Sequence, residues 1–240
     1  MCTLSWFFSD DGLQLFFNRD EQRNRVKAVL PAYFAQHNAI YPTDPQGGGT
    51  WLAMTASGAV YCLLNNYQAA QRCHIDAPIS RGRVILQLLQ QSSLQTSQQD
   101  ISSRLQQLPL RQIQPFSLCY FAPQARSNDD VFCISWQQGK LQQQPASSPM
   151  ISSAVNLPEV SAVRCETYQQ LCPAVTAGNE QHLQFHRSHL PAASALSVCM
   201  HRADACTVSF SHISINGSHK RFHYVDGAPC SNAASLTLCL

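Results

Sequence analysis

The sequence predicts an α+β fold in which antiparallel hairpins form sheets and a few helices cover them. Near the start, aromatic and aliphatic runs flank the turn-forming residues Ser9 to Gly12, and near the end Asn216-Gly217 is a strong hairpin signal. In the middle, Ser80 to Gln91 and Asp100 to Leu108 place apolar residues at helical intervals. A length of 240 residues, 45% of them hydrophobic, suits one domain covering residues 1–240 with a real core.

The predicted strands are separated by turn residues along most of the chain. In order they cover Cys2 to Phe8, Leu13 to Asn18, Thr50 to Thr55, Ala59 to Asn65, Phe116 to Phe121, Val131 to Trp136, Met150 to Val155, Ser194 to His201, Cys206 to Ile215 and His219 to Val225. Pro31 and the run from Tyr41 to Gly49 predict a long loop at the mouth of a cleft, with Gly47-Gly48-Gly49 lining the entrance. The pattern is least regular from Glu166 to Pro191.

Composition and charge exclude several classes of function. A formal net charge of +2 with 12% charged residues leaves no basic surface strong enough for nucleic acid. Eleven cysteines, an odd number without paired CxxC units, favour reduced thiols over a disulfide scaffold. No apolar run approaches the roughly 20 residues that span a bilayer, and Asp10 and Asp11 come early in place of a basic leader. We therefore expect a cytoplasmic protein.

The first hairpin places a candidate nucleophile opposite a cation. Pairing across the predicted turn puts Cys2 opposite Arg19, with their Cβ atoms about 5 Å apart. A shift of one residue would substitute Asp20 for Arg19. Arg19 would favour the thiolate of Cys2, and Asp20, paired with Arg19 or with a terminal ammonium, would orient the group. The alternative is an ordinary surface ion pair at the end of a strand.

Removal of Met1 would complete a catalytic group. The small residue in second position makes Met1 a substrate for methionine aminopeptidase, which would leave Cys2 with a free α-amine. That amine has a pKa of about 7.7–8.0 and can take the proton of the thiol on its own residue. Cys2 would then supply both the nucleophile and the general base.

Five stretches of the sequence resemble the NRDE family, the proteins named for transport and Golgi organisation protein two. They are Met1 to Trp6, Leu15 to Glu21, Asp44 to Ala53, Leu64 to Tyr67 and Ser197 to Phe210. The resemblance implies the N-terminal-nucleophile hydrolase type of fold, a four-layer αββα sandwich of two antiparallel sheets with residue 2 at the mouth of the cleft. It does not imply one reaction, because a single fold hosts many functions.

The family resemblance implies a ligand as well as a fold. Members are associated with intracellular haem handling and with lipid metabolism, so we favour a haem-binding and haem-trafficking protein with the macrocycle in a cleft near Cys2. Arg19 or Arg202 would hold the haem propionates, although Arg202 could instead form a turn ion pair with Asp204. Haem-accepting proteins are then candidate partners. The implied ligand-binding residues are Asn18, Trp51, His201 and Arg202.

Residue chemistry supports an alternative, a cysteine N-terminal-nucleophile amidohydrolase acting on a small acyl amide. Cys2 would attack the carbonyl, Asn66 would donate to the oxyanion, and Arg19 with Asp20 would orient the site. An Asx turn is an equal alternative for Asn66. A third interpretation, a scaffold or trafficking protein with an inert cleft, has no positive signal in the sequence.

The sequence also departs from the family pattern where a second oxyanion donor is expected. Around Ile151 to Ala154 the family more usually shows a Ser-Asn pair, whereas this chain has Ser153 and Ala154. Losing one oxyanion donor typically costs about 2.7–4 kcal/mol of transition-state stabilisation. This departure weakens the case for amide hydrolysis.

No metal site is expected from the sequence. Cys172-Pro173 resembles a haem-responsive dipeptide, and His182, His186 and His189 are spaced four and three residues apart, which would place them on one helix face. Both features lack carboxylate partners, and scattered surface histidines are far more common than ligand sets with supporting residues.

Overall fold

The computed structural model describes residues 1–71, 79–90, 98–173 and 177–240. Within those ranges the strands are β1 (Cys2–Ser9), β2 (Gly12–Gln22), β3 (Val29–Phe34), β4 (Ala39–Thr43), β5 (Leu52–Thr55), β6 (Val60–Asn65), β7 (Phe116–Phe121), β8 (Val131–Gln137), β9 (Lys140–Pro145), β10 (Met150–Ser152), β11 (Ala205–Asn216), β12 (His219–Val225) and β13 (Ser235–Cys239). The α-helices are α1 (Tyr67–Gln71), α2 (Arg83–Gln90), α3 (Gln98–Gln106), α4 (Leu157–Leu171) and α5 (Asn179–Arg187).

The chain divides into two compact units, each built on one antiparallel sheet. The first unit comprises Met1–Arg25 and Ser147–Leu240, and its six strands lie in the order β10-β1-β2-β11-β12-β13. The second unit comprises Val26–Ala146, and its seven strands follow the chain in the order β3-β4-β5-β6-β7-β8-β9. Two antiparallel sheets with few helices confirm the predicted α+β class.

The sheet of the first unit begins with the predicted hairpin. β1 and β2 pair from Cys2 opposite Arg19 to Ser9 opposite Gly12, so the predicted register is confirmed. Gly12 has a φ of +95°, a left-handed conformation that glycine adopts at little cost and that the tight turn requires. Because side chains alternate along a strand, Cys2 and Arg19 share one face of the sheet and their neighbours occupy the other.

The second unit has its own apolar core. Side chains from the central strands pack against the apolar faces of α2 and α3, with Tyr61, Leu88 and Ile101 at most 1% exposed. Burial of these faces supports the prediction that α2 and α3 are covering helices. Near β5, Gly49 lies so close to Gly82 that a Cβ on Gly49 would be 2.2 Å from the Gly82 carbonyl carbon. The glycines predicted to line an entrance therefore form a tight turn and a close backbone contact.

The predicted long loop was wrong, because it contains two strands. β3 and β4 form a hairpin in which Pro31 lies at a register irregularity between Val29 and Ala32. β3 is the edge strand of its sheet, where a residue without an N–H is tolerated. β9, at the opposite edge, and β13, at an edge of the first sheet, were also missed by the sequence analysis.

The irregular segment predicted from Glu166 to Pro191 was also wrong, since most of it is helical. α4 ends and α5 lies within it, and the predicted strand before it ends at Ser152. The stripe that α4 buries is Val160, Arg164 and Thr167, at helical intervals of four and three residues. Two of these three residues are polar, so a search for apolar periodicity does not detect the helix.

The predicted strand from Ser194 to His201 is a series of bends. Its second half is buried, with Val198, Cys199 and Met200 at 0% exposure. However, its backbone bonds are irregular: the N–H of Cys199 donates to the Ser188 carbonyl at 3.0 Å, and the Met200 carbonyl accepts from Thr207 at 2.9 Å. The prediction of a strand here was therefore wrong, because a short apolar run can be buried without pairing as a strand.

Candidate active site at Cys2

Three side chains lie in a row across adjacent strands of the first unit. Cys2 on β1 pairs with Arg19 on β2 at one side and with Ser152 on β10 at the other. Residues directly opposite each other in an antiparallel pair project from the same face, with Cβ atoms about 4.5–5.5 Å apart. Cys2 is 8% exposed, Arg19 7% and Ser152 5%. The structure therefore places a thiol between a hydroxyl and a guanidinium.

Ser152 was missed by the sequence analysis. Its hydroxyl is buried and has no hydrogen-bond partner among the described residues. The neighbouring Ser153 hydroxyl is already used in a turn, where it donates to the Val155 carbonyl and accepts from the Val155 N–H. Of the two serines, Ser152 is the one whose hydroxyl remains able to donate to a ligand. Only the pairing of β10 with β1, which joins distant segments, identifies it.

The amino-terminal residue is held by the backbone of Asp20. The Met1 amine donates to the Asp20 carbonyl at 3.0 Å, and the Asp20 N–H donates to the Met1 carbonyl at 2.9 Å. The Met1 side chain packs in a small apolar cluster with Val160, Met200 and Ala205. These contacts place the positively charged terminus next to the candidate nucleophile.

Burial dominates the electrostatics of the Cys2 thiol. Loss of solvent raises the pKa of Cys2 above its ordinary value, and the nearby Asp20 carboxylate acts in the same direction. The positive charges of the amino terminus and of Arg19 oppose that rise in pKa. The thiol is therefore neutral in this state, and its conversion to a thiolate depends on the cations beside it.

The expected partner of Asp20 was wrong. The residue is only 2% exposed. Its carboxylate accepts from Thr207 Oγ1 at 2.7 Å and from Arg164 Nη1 at 3.4 Å. Arg19 instead pairs with Glu21 at 3.4 Å. Asp20 alternates with Arg19 along β2, so its side chain occupies the opposite face from Cys2. It is the backbone carbonyl of Asp20 that accepts the hydrogen bond of the terminal amine.

Arg164 is the central buried cation of this opposite face, and sequence reasoning missed it. Its side chain is 0% exposed, donates to Thr3 Oγ1, and donates to the carbonyls of Ala195 and Leu196 at 3.3 Å each. Together with Asp20 it ties α4 to both β1 and β2. The available sequence signal was a lone arginine four residues after Val160.

The predicted ligand-binding residue Asn18 also lies on the face opposite Cys2. It is 0% exposed, and its Nδ2 donates to the carbonyl of His186 at 2.9 Å and to that of Val198 at 3.0 Å. These bonds fasten the sheet to α5 and to the segment before β11. In this structure the side chain amide of Asn18 is thus directed to backbone carbonyls.

His201 and Arg202 lie just before β11. Arg202 donates to Asp204 at 2.7 Å, which is the turn ion pair that the sequence left open. His201 forms an isolated bridge with Cys206 and places its Nε2 3.3 Å from Cys230 Sγ. The His201 ring therefore lies beside a thiol of its own unit.

Trp51 and Asn66 belong to the second unit. Trp51 is 7% exposed, and its carbonyl accepts from the Leu63 N–H at 2.8 Å. Asn66 Oδ1 accepts from the Ala69 N–H at 3.1 Å at the start of α1, and its Nδ2 donates to Gln137 at 3.2 Å. The Asn66 side chain thus caps a helix, a local role that differs from the Asx turn given as the alternative.

The fold is of the N-terminal-nucleophile hydrolase type, as predicted, on the likeness of solved structures. A Caenorhabditis elegans N-acylethanolamine-hydrolyzing acid amidase ortholog is similar at a TM-score of 0.58 and 11% identity, covering 100% of both chains. The C2A mutant of a Clostridium perfringens conjugated bile acid hydrolase is similar at 0.54 and 11%, covering 99% of this chain and 92% of that one. At this identity the likeness concerns the fold.

The chain belongs to the Transport and Golgi organisation 2 family, whose model matches residues 1–197. The resemblance identified from the sequence motifs is therefore confirmed. No curated protein matches the chain. Across the described ranges, every helix is too short or too polar to cross a membrane.

Proposed function

We propose that this protein is a cysteine N-terminal-nucleophile hydrolase that cleaves the amide bond of a small acyl amide. The observation that supports the proposal is the row of Ser152, Cys2 and Arg19 on one face of the first sheet. A nucleophile, a hydroxyl donor and a cation are the groups that acyl transfer requires around one carbonyl. The solved structures of similar fold add only that this fold is compatible with a hydrolase.

The reaction requires the α-amine of Cys2, which removal of Met1 exposes. That amine takes the thiol proton, and the thiolate forms a bond to the carbonyl carbon while the carbonyl electron pair moves onto oxygen. Ser152 donates a hydrogen bond to this oxyanion. The ammonium returns its proton to the leaving amine as the C–N bond breaks, and water then hydrolyses the thioester to a carboxylic acid and the free thiol.

Ser152 offers a replacement for the family asparagine that is missing just after β10. An oxyanion donor is worth about 2.7–4 kcal/mol, so a site without one would be a poor hydrolase. The Ser152 hydroxyl occupies the position opposite Cys2 and is buried without a partner among the described residues. An unpaired buried hydroxyl costs about 1–3 kcal/mol, a cost that a substrate oxyanion would offset.

Family membership favours a second candidate, haem binding. Cys2 offers a soft iron ligand and Arg19, on the same face, offers a guanidinium for a propionate. Leu4 and Trp6 follow Cys2 at alternate positions of β1 and are 0% and 1% exposed, so the same face is apolar beside Cys2. A bound haem would supply the chemistry of its iron, and haem-accepting proteins would then be the partners.

A reducing compartment suits both candidates. The ten cysteines whose side chains the structure describes are free thiols. Free thiols persist in the cytosol, where disulfides are rare. This supports our proposal of a cytoplasmic location.

One pair of proteins tests the two candidates. Intact mass first establishes which preparation lacks Met1, and a form that retains Met1 then serves as the blocked partner with an unchanged thiol. For the hydrolase, only the processed form should release amine from a panel of acyl amides, and Cys2→Ser should abolish the release. For haem binding, both forms should show a saturable Soret change with affinities within about tenfold, or 1.4 kcal/mol.

The outcomes are distinct. Amine release from the Met1-retaining form would refute the proposed role of the α-amine as base. Absence of release from every amide, together with one-to-one haem binding by both forms, would refute the hydrolase and support the second candidate. Cys239→Ser, at an exposed position of β13, is the control that should change neither readout.

A further inference from the structure

Four sulfur and nitrogen ligands converge at one place in the first unit, away from the row at Cys2. We call His189, Cys199, His201 and Cys230 the His–Cys cluster. Their ligand atoms all lie within 4.8 Å of one another. His201 Nε2 is 3.5 Å from Cys199 Sγ and 3.3 Å from Cys230 Sγ, and the rings of His189 and His201 meet edge to face at 5.0 Å.

The four members of the cluster come from three separate parts of the unit, each with ordered backbone. His189 follows α5, and the preceding residue Ser188 accepts the Cys199 N–H at 3.0 Å. His201 is fixed by its bridge to Cys206 at the start of β11. Cys230 lies between β12 and β13 in a turn closed by the Ser231 N–H donating to the Ala228 carbonyl at 3.0 Å. The convergence is therefore a product of the fold and not of one flexible loop.

The spacing matches a tetrahedral metal site. Zinc bound at about 2.0–2.1 Å by imidazole nitrogen and about 2.3 Å by thiolate sulfur gives a tetrahedron with edges of about 3.3–3.8 Å. The two sulfur–nitrogen distances at His201, 3.3 and 3.5 Å, fall within that range. All four ligand atoms already lie within 4.8 Å of one another. Small adjustments of the side-chain rotamers would therefore bring them to bonding distance of one ion.

We propose that the His–Cys cluster binds one Zn²⁺ ion through two thiolates and two imidazoles. Two thiolates neutralise the charge of the divalent ion, and two imidazoles complete a closed four-coordinate set that leaves no position for a substrate. The site is therefore structural. It cross-links the end of α5, the segment before β11 and the turn between β12 and β13.

The site shares no residue with Ser152, Cys2 and Arg19, so the proposal does not depend on hydrolysis. Spacing along the sequence does not reveal the cluster. It groups His189 with His182 and His186, whereas the structure directs those two residues to Ser5 Oγ at 2.9 and 2.8 Å. The true partners of His189 come from segments that only the folded sheet brings together.

Cobalt titration is the direct test. Reduced full-length protein, stripped of metal by a chelator, is titrated with Co²⁺ and then with Zn²⁺. We expect one equivalent of Co²⁺ to give a thiolate-to-cobalt charge-transfer band and intense tetrahedral d–d bands, and Zn²⁺ to displace it. A spectrum without the sulfur charge-transfer band, or binding without a one-to-one end point, would overturn the proposal.

Matched variants assign the ligands. Loss of a ligand should weaken zinc binding at least as much as loss of an outer-shell partner, which costs about 10–100-fold, so we expect Cys230→Ser and His201→Ala each to lower the affinity by that factor or more. The controls Cys239→Ser and His219→Ala change exposed residues outside the cluster and should bind as the parent does.

Two results of the variant experiment would sink the proposal. One is zinc affinity unchanged in Cys230→Ser. The other is a mass two hydrogens lower in the parent, but not in Cys230→Ser, under reducing conditions, which would show a disulfide at Cys230. Because Cys230 is exposed, its serine variant should fold normally, and the cobalt spectrum of the parent tests sulfur ligation independently of any variant.

Discussion

Replacing Arg164 by methionine should destabilise the protein strongly, because it would leave a buried carboxylate without its cation. Arg164 and Asp20 have side chains that are 0% exposed, and their closest contact is 3.4 Å. Methionine keeps much of the length and packing of the arginine stem but donates no hydrogen bond. The variant would therefore remove the bonds to Thr3 and to two backbone carbonyls as well as the charge.

The size of the effect follows from burial. Breaking a buried ion pair by removing one partner typically costs about 3–5 kcal/mol, whereas an exposed pair contributes about 0–1 kcal/mol. The matched control is Arg202→Ala, because Arg202 and Asp204 form a pair at 2.7 Å with side chains 25% and 60% exposed. The shorter ion pair should thus be the weaker one, since solvent screens it.

Urea unfolding followed by circular dichroism measures both variants. With a slope of about 3 kcal/mol per molar urea, Arg164→Met should lower the midpoint by about 1–1.7 M and Arg202→Ala by less than about 0.3 M. Adding Asp20→Asn to Arg164→Met should recover part of the loss, because the unpaired charge is gone. Equal midpoints for the two single variants would show that Asp20 does not depend on Arg164.

Three further predictions concern the site and its surroundings. Ser152→Ala should lower kcat/KM for an amide substrate by about 10²–10³-fold with the fold intact, the usual effect of losing an oxyanion donor; an unchanged value would remove Ser152 from the mechanism. Arg19→Ala should raise the pKa of the Cys2 thiol and slow its alkylation near neutral pH, as measured by iodoacetamide rates. Burial lowers the pKa of His182 to about 4, so stability should fall as the pH drops from about 6.5 toward 4, where only the unfolded chain binds the proton. His182→Gln should flatten that decline in urea midpoint, and His219→Ala should not.

Much of the sheet structure could be predicted because its signals are local. The predicted bounds of β7, Phe116 to Phe121, and of β12, His219 to Val225, agree with the structure residue for residue. The pairing of Cys2 with Arg19 followed from one hairpin turn. In each case a run of apolar residues and a nearby turn define the strand without reference to the rest of the chain.

The missed elements depend on contacts between distant segments. α4 buries Arg164 and Thr167, whose polarity is tolerable only because Asp20, Thr3 and backbone groups meet them. Likewise Ser152 becomes part of the site only through the pairing of β10 with β1. A polar side chain in a helical stripe is a weak signal by itself, and its partners cannot be assigned from sequence spacing.

The two candidate functions use the same thiol, but only hydrolysis depends on removal of the residue before it. A buried neutral thiol with a raised pKa is a poor nucleophile and a poor iron ligand unless a nearby cation favours the thiolate. Arg19 supplies one such cation in either state.

When Met1 is present, the terminal charge is held against the Asp20 carbonyl at 3.0 Å and Cys2 has a peptide nitrogen that cannot act as a base. When Met1 is absent, the amine belongs to Cys2 itself, and because an ordinary α-amine has a pKa of about 7.7–8.0, it is suited to accept the thiol proton near neutral pH. The chemical state of residue 1 therefore decides whether this row of side chains can hydrolyse an amide or can only bind a ligand.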